Sequence, residues 1–301
     1  MTAKKIEQKS LLAGIFVNFL MSCAGILVYH TTHIEALFVD AYFSVITFFS
    51  AIVSLVVSRL SSHRSKMFPG GFFVLEPLYS LFQSVLTVVL LSMSLMAVGL
   101  KAYAYFVHGE GSVLDVAPVV PYEMIMILLS WSLSYYYKKE NHKIHNLSTM
   151  LFSETQGTFV DGTMSLGIGA AALILFFIRP NSSLGFLRYT GDFFITLLLV
   201  ILTIKMPLPV IRSAFGEISG KLLLNPEIHR WIDICLKKHP LEGVRIKKYL
   251  VYKVGMSIKI YVFLDAGKVF IDSSQLSQTR TAILKELSKR LEFVHLAFCL
   301  C

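Results

Sequence analysis

Long uncharged, apolar runs alternate with short polar segments along the first two thirds of the chain, and that spacing predicts membrane-spanning helices. No Asp, Glu, Lys or Arg occurs in residues 10–34, 41–58 or 77–100. Each run is close to the roughly 20 apolar residues that a helix needs to cross hydrocarbon. Residues 116–137 predict a fourth helix with Glu123 as its only charge, and residues 148–178 a fifth that contains Glu154 and Asp161. Residues 191–212 predict a sixth. Lys205, Pro207 and Pro209 interrupt it, and proline, lacking an amide hydrogen, ends or kinks a helix. The first run is too long for a cleaved signal peptide and is not followed by a clear small-residue cleavage site.

Beyond residue 213 the pattern changes. Asn225-Pro226-Glu227 reads as a helix start. Two runs alternating apolar with basic or polar residues, 244–254 and 256–264, flank Gly255 and predict a hairpin. Residues 273–292 predict an amphipathic helix and 292–300 a last strand. The expected fold class is therefore a multi-pass α-helical membrane protein. Six transmembrane helices occupy residues 1–213, and a small α+β domain of order α-β-β-α-β occupies residues 214–301, as a two-layer sheet with helices on one face.

Composition narrows the function. Of 301 residues, 55% are apolar and 16% charged, against about 25% charged in soluble domains. That excludes a fully soluble enzyme, a disordered chain and a coiled coil. The four cysteines, Cys23, Cys235, Cys299 and Cys301, are too scattered for a disulfide framework. Basic residues gather at one side of the spans: Lys4, Lys5 and Lys9, then Arg59, Arg64 and Lys66, then Lys138, Lys139 and Lys143. The opposite loops offer Lys101, Arg179 and Arg188. The bias of basic loops toward the cytoplasm places both termini there, in the cell's inner or plasma membrane. The net charge is +9, and residues 214–301 hold 14 of the 28 Lys and Arg. A domain beside anionic lipid suits that excess better than a nucleic-acid binder.

Carboxylates inside hydrocarbon are costly, on the order of 2.5–3.5 kcal/mol on insertion scales, and therefore informative. Asp40 precedes Arg59 by 19 residues and Asp161 follows Lys143 by 18. At 1.5 Å per residue both lie roughly 27–29 Å from the basic loops, at matched depth on different helices. Two facing carboxylates need a cation or protons to neutralise them. The competing reading is that one of them caps a helix or pairs with a polar group in the bundle. Glu154 lies seven residues before Asp161, on the same helix face two turns nearer the cytoplasm. It is a further candidate, as ligand or proton carrier, unless it merely marks the polar boundary of the membrane.

The stretches ALFVDAYFSVITFFSAIVSLVVSRL, FPGGFFVLEPL and SETQGTFVDGTMSLG resemble the cation diffusion facilitator family of divalent-metal transporters. Pro69, Gly71, Glu76, Pro77 and Leu78 carry the more specific part of the likeness. The resemblance spans nearly the whole chain. It implies metal export coupled to proton entry by alternating access, in a homodimer, with a metallochaperone-like cytoplasmic domain. Its transport site draws on two pairs of residues spaced i, i+4, which fall here on Asp40 and Ser44 of helix two and on Gly157 and Asp161 of helix five. Ser44 offers only a hydroxyl and Gly157 no side chain, an arrangement similar to an atypical branch of the family. The implied metal ligands are Asp40, Ser44 and Asp161, with Glu154 beside them.

Zinc prefers four ligands drawn from nitrogen, sulfur and carboxylate. Two carboxylates, a hydroxyl and water suit Mn²⁺, Mg²⁺ or Fe²⁺ better. The transported ion is expected among Mn, Fe, Mg, Co and Zn, with no permanently bound cofactor. The partners expected are that ion, protons, the lipid bilayer and a second copy of the chain, and no nucleic acid. The two missing ligands keep a second function open: a non-transporting family member serving as a partner subunit or metal sensor. No Walker loop, nucleophile elbow or metalloprotease helix occurs, so no enzyme is expected. Other groups carry less. His30, His33 and Glu35 flank the outer ends of helices one and two, and His63, His142 and His145 lie in cytoplasmic loops. His295, Cys299 and Cys301 share a strand face, better explained by a half-buried strand than by a metal site. Gly157, Gly162, Gly167 and Gly169 read as close-packing positions.

Overall fold

A computed structural model describes residues 2–32, 35–109, 119–177, 187–241, 244–265 and 273–300, with backbone alone at 32, 35–40, 43, 175–177, 187–189, 191–192 and 195. The apolar runs fold as α1 (Ala3–Thr32), α2 (Glu35–Ser61), α3 (Leu75–His108), α4 (Val119–Lys143), α5 (Thr149–Phe177) and α6 (Leu187–Thr203), followed by the short α7 (Pro207–Ile218). The first five have 25 to 34 residues, which corresponds to about 38–51 Å, longer than a hydrocarbon core of about 30 Å. Large apolar side chains such as Phe16, Leu27, Phe82 and Leu128 point outward. Inward faces carry serine and threonine hydroxyls that donate to their own helix, as Ser80, Ser84 and Thr87 do to Glu76 O, Ser80 O and Gln83 O. That division is what a lipid surround requires, because it offers no water to an unpaired polar group.

Among the described residues, five stretches are long and apolar enough to span a membrane: Ala3–Thr31, Ser44–Ser61, Leu75–His108, Thr149–Ile174 and Thr196–Ile218. The expected fourth span, α4, falls outside that set. Glu123, three consecutive tyrosines and a last turn of Lys, Glu, Asn and His dilute its apolar character. It still packs along α5 and α1 as part of the bundle. The predicted interruption of the sixth helix falls at residues 204–206. Met206 N–H bonds back to Thr203 O, and α7 starts afresh with proline in its first turn.

The rest of the chain forms α8 (Pro226–Lys238), β1 (Arg245–Val254), β2 (Ser257–Asp265), α9 (Ser273–Leu287) and β3 (Phe293–Leu300). Asn225 caps α8 by accepting from the amides of Glu227 and Ile228. The sheet order is β1-β2-β3, with β1 antiparallel and β3 parallel to β2. Ile258, Ile260, Val262 and Leu264 on one face of β2 share a core with Ile228 and Ile232 of α8 and Ile283 and Leu287 of α9. Leu147, from the turn between α4 and α5, enters that same core.

The hairpin tip docks into the end of the helix bundle. Met256 packs with Leu11, Phe73, Tyr79, Tyr137 and Leu151 of the helices. Its amide donates to Glu76 Oε2 at 2.9 Å, and the Gly255 amide donates to Glu217 Oε2 at 3.0 Å. Gly255 has φ +57, and a Cβ there would stand 2.6 Å from both Glu76 Oε2 and Phe73 O; only glycine lets the tip approach this closely. Two ammonium groups balance the carboxylates. Lys4 Nζ contacts Glu76 Oε1 at 2.7 Å and Glu7 Oε1, while Lys253 Nζ contacts Glu217 Oε1 at 2.8 Å. Ser58 and Ser148 donate their hydroxyls to Glu7, and Glu292 accepts from the Lys4 amide at 2.9 Å. One cluster therefore ties α1, α2, α3 and α5 to the C-terminal segment, with a second pair on α7.

Breaking a buried ion pair from one side leaves an uncompensated charge, at about 3–5 kcal/mol. Lys4→Met is expected to lower thermal stability by that order in detergent, whereas Lys5→Met, on the exposed face, should stay within about 0.5 kcal/mol. Equal melting temperatures for the two variants would contradict the cluster's structural role.

Candidate metal-cation site

A cavity of about 200 Å³ runs inside the bundle between α1, α2, α3, α5 and α6. Ser44, Glu154, Gly157 and Asp161 all line it, so three of the four candidate residues, together with the vacated glycine position, meet in one place. Asp40 lies in α2 four residues before Ser44, and its side chain is outside the described atoms. Asp161 is half-buried. Glu154 is only 4% exposed, so it faces the bundle interior rather than a polar membrane boundary. It accepts a hydrogen bond from the Tyr79 hydroxyl at 2.7 Å. Tyr79 lies 3.2 Å from Ser50 Oγ, which bonds to the side-chain amide of Gln83.

Gly157 departs from the expectation that the α5 glycines are packing positions. A Cβ at Gly162 would stand 2.5 Å from Trp131, and one at Gly169 3.2 Å from Glu123 Cβ, so those two mark close contact with α4. At Gly157 the nearest atoms to an added Cβ are Gln83 Nε2 at 3.8 Å and Thr87 Oγ1 at 3.9 Å, ordinary contact distances that would admit a Cβ. Among the described residues no three His, Cys, Asp or Glu side chains come together. Side chains with neutral oxygen atoms also line the cavity. Asn18, Thr47, Gln83, Thr87, Thr158 and Ser165 supply them in the same wall. Counting charges in apolar runs overlooks these residues. The available signal was a repeat of polar side chains at i, i+4 in α3: Ser80 and Ser84, Gln83 and Thr87.

The histidines do not gather at the cavity. His30, His63 and His142 are exposed. His145 contacts the Glu227 carboxylate at 3.1 Å and packs edge-on to Trp231, tying the α4–α5 turn to α8. His33 and Cys301 lie outside the described residues, and Glu35 is described by its backbone alone. His295 and Cys299 share a face of β3, and His295 Nε2 is buried without a hydrogen-bond partner. Burial, with Arg64, Lys259 and Arg280 nearby, lowers the His295 pKa from 6.5. The folded chain thus holds the imidazole neutral, and its contribution to stability is present above pH 6.5 and declines as pH falls below it. His295→Gln is expected to flatten that acid limb in thermal melts from pH 7.5 to 5; an unchanged limb would assign the sensitivity elsewhere.

A cavity enclosed by long apolar helices, with carboxylates in its wall, belongs to a multi-pass helical membrane protein. Residues 11–219 match the cation efflux transmembrane domain, and the chain belongs to the cation diffusion facilitator family, whose members are metal-cation transporters rather than enzymes. A search of curated proteins returned no match to the chain.

Proposed function

We propose that the protein exports a divalent metal cation from the cytoplasm in exchange for protons, by alternating access, as a homodimer with six spans and both termini cytoplasmic. Residues 214–301 then serve as a regulatory and dimerisation domain. The observation that carries this reading is the single cavity that collects Asp161, Ser44, Glu154 and the space beside Gly157. Asp40 and Asp161 are the principal ligands, Ser44 adds a hydroxyl, and Glu154 carries protons or receives the ion. A carboxylate that loses its cation in a low-dielectric site favours taking a proton, which couples the two fluxes. The oxygen-only donors suit Mn²⁺, Mg²⁺ or Fe²⁺ over Zn²⁺. The second reading, a non-transporting partner subunit or sensor, is favoured by the absence of a three-residue acidic, His or Cys cluster among the described residues.

Flux of divalent ions in proteoliposomes with an imposed pH gradient decides between them. Asp40→Ala and Asp161→Ala are each expected to abolish flux while the protein remains folded and dimeric. A proton gradient directed from the exterior into the cytoplasm should drive the ion out of the cytoplasm. Near-normal flux in either variant contradicts the two-carboxylate site, and flux indifferent to the gradient contradicts the exchange.

A further inference from the structure

We propose that α3 completes the cation site with two oxygen ligands, the Thr87 hydroxyl and the Gln83 side-chain carbonyl, in the place that Gly157 leaves open. These two residues then set the preference for hard, oxygen-seeking divalent cations. The inference rests on the reading of the cavity as the cation site and deepens it.

Position 157 supplies the geometry. A side chain built there would point at Gln83 and Thr87, at 3.8 and 3.9 Å from its Cβ. The space that α5 does not fill is thus already faced by polar groups of α3. Both line the cavity with Asp161 and Ser44. They lie four residues apart, hence on one face of the helix, and are 7% and 8% exposed. Neighbouring positions on α3 show what this helix otherwise presents to lipid: Phe82, Val85 and Val89. Polar side chains turned inward at this depth mark a use or an interhelical bond.

Hydrogen-bond accounting assigns which atoms face the ion. The Thr87 hydroxyl donates its proton to Gln83 O at 3.0 Å, which leaves oxygen lone pairs toward the cavity. Gln83 is held by Ser50, and Ser50 by Tyr79, which donates to Glu154. As folded, Ser50 donates to Gln83 Oε1, and the Tyr79 hydroxyl lies within reach of Glu154 Oε1, Ser50 O and Ser50 Oγ. A cation beside Gly157 meets the amide oxygen once the Gln83 amide turns by half a revolution. Gln83 Nε2 then donates to Ser50, Ser50 to Tyr79 and Tyr79 to Glu154, so each hydroxyl accepts once and donates once. The same turn places Oε1 where Nε2 stood, facing the space beside Gly157. Amide oxygen and nitrogen are near-equal in shape, and the short Ser50 contact lengthens to an N–H···O distance on the turn.

The resulting donor set adds Thr87 and Gln83 to the proposed ligands Asp40, Asp161 and Ser44, oxygen atoms from three helices without imidazole or thiolate. Such a set with water filling the remaining positions fits octahedral Mn²⁺ or Mg²⁺, and discriminates against Zn²⁺ for want of a nitrogen or sulfur ligand. The cavity of about 200 Å³ has room for the ion and several waters.

The full-length protein, in detergent for Mn²⁺ and Zn²⁺ titration calorimetry and in proteoliposomes for flux, tests this. Thr87→Val keeps shape and removes the ligand; Gln83→Leu removes the amide; Gln83→His offers an imidazole. Thr87→Val and Gln83→Leu are each expected to weaken Mn²⁺ binding about tenfold or more, raising KM with little change in maximal flux. Gln83→His should shift the Mn²⁺-to-Zn²⁺ preference toward Zn²⁺. If Gln83→Leu does not fold, Thr87→Val alone decides. Folded variants with parental Mn²⁺ affinity and an unchanged ion ratio overturn the proposal. Mn²⁺ binding that depends on Thr87 in a protein without flux upholds these ligands while rejecting the transport function. A parent that binds no divalent ion overturns both.

Discussion

The Lys4 ammonium, buried between the Glu7 and Glu76 carboxylates, is the interaction on which the arrangement of helices and C-terminal segment depends. Glu76 gives one oxygen to Lys4 and the other to the Met256 amide. The same carboxylate thus fixes the start of α3 and the tip of the β1–β2 hairpin. Glu7 gathers hydroxyls from α2 and from the α5 N-cap. Three carboxylates, Glu7, Glu76 and Glu217, face two ammoniums, Lys4 and Lys253, and the surplus negative charge is met by two backbone amides and serine and threonine hydroxyls. Charge-assisted bonds of this kind are about twice as strong as neutral ones, and loss of any one member strands the rest.

From this cluster a ladder of polar contacts leads to the cavity. Ser80 donates to Glu76 O, and Ser153, beside Glu154, donates to Ser80 O at 3.5 Å. Tyr79 lies between the packed tip Met256 and the Glu154 carboxylate. The polar face of α3 therefore runs without a break from the docked hairpin to Gln83 and Thr87. Hydrocarbon on the outside forces these groups inward, where they must pair with each other. The cavity and the docking cluster are two ends of one solution to that constraint.

Much of this was legible in the residues. Uncharged runs place the long helices, the Pro207 and Pro209 pair places the break after α6, and alternation around Gly255 places the hairpin. Asp161 and Glu154 stand out because carboxylates are rare in apolar runs, whereas Ser44 follows only from the resemblance to the family's paired i, i+4 positions. What stayed hidden follows from the same habit of counting charges. Lys4 reads as a loop charge that orients the chain, yet it is buried at the junction of five elements. Gln83 and Thr87 are neutral, so they vanish inside an apolar run. Gly157 reads as one of a packing series, and only its neighbours reveal open space. α4 was legible as an apolar run with one charge and packs in the bundle, although its tyrosines, Glu123 and polar last turn keep it outside the stretches apolar enough to span.

The central claim is that a divalent cation is held in this cavity by oxygen ligands. An experimental structure with Mn²⁺, read by its anomalous scattering, tests it most directly. The account predicts one peak inside the bundle within coordination distance of Asp40 and Asp161, with Ser44, Thr87 and Gln83 oxygens turned toward it. A cavity without a peak, with Mn²⁺ bound only in the C-terminal segment, would contradict it.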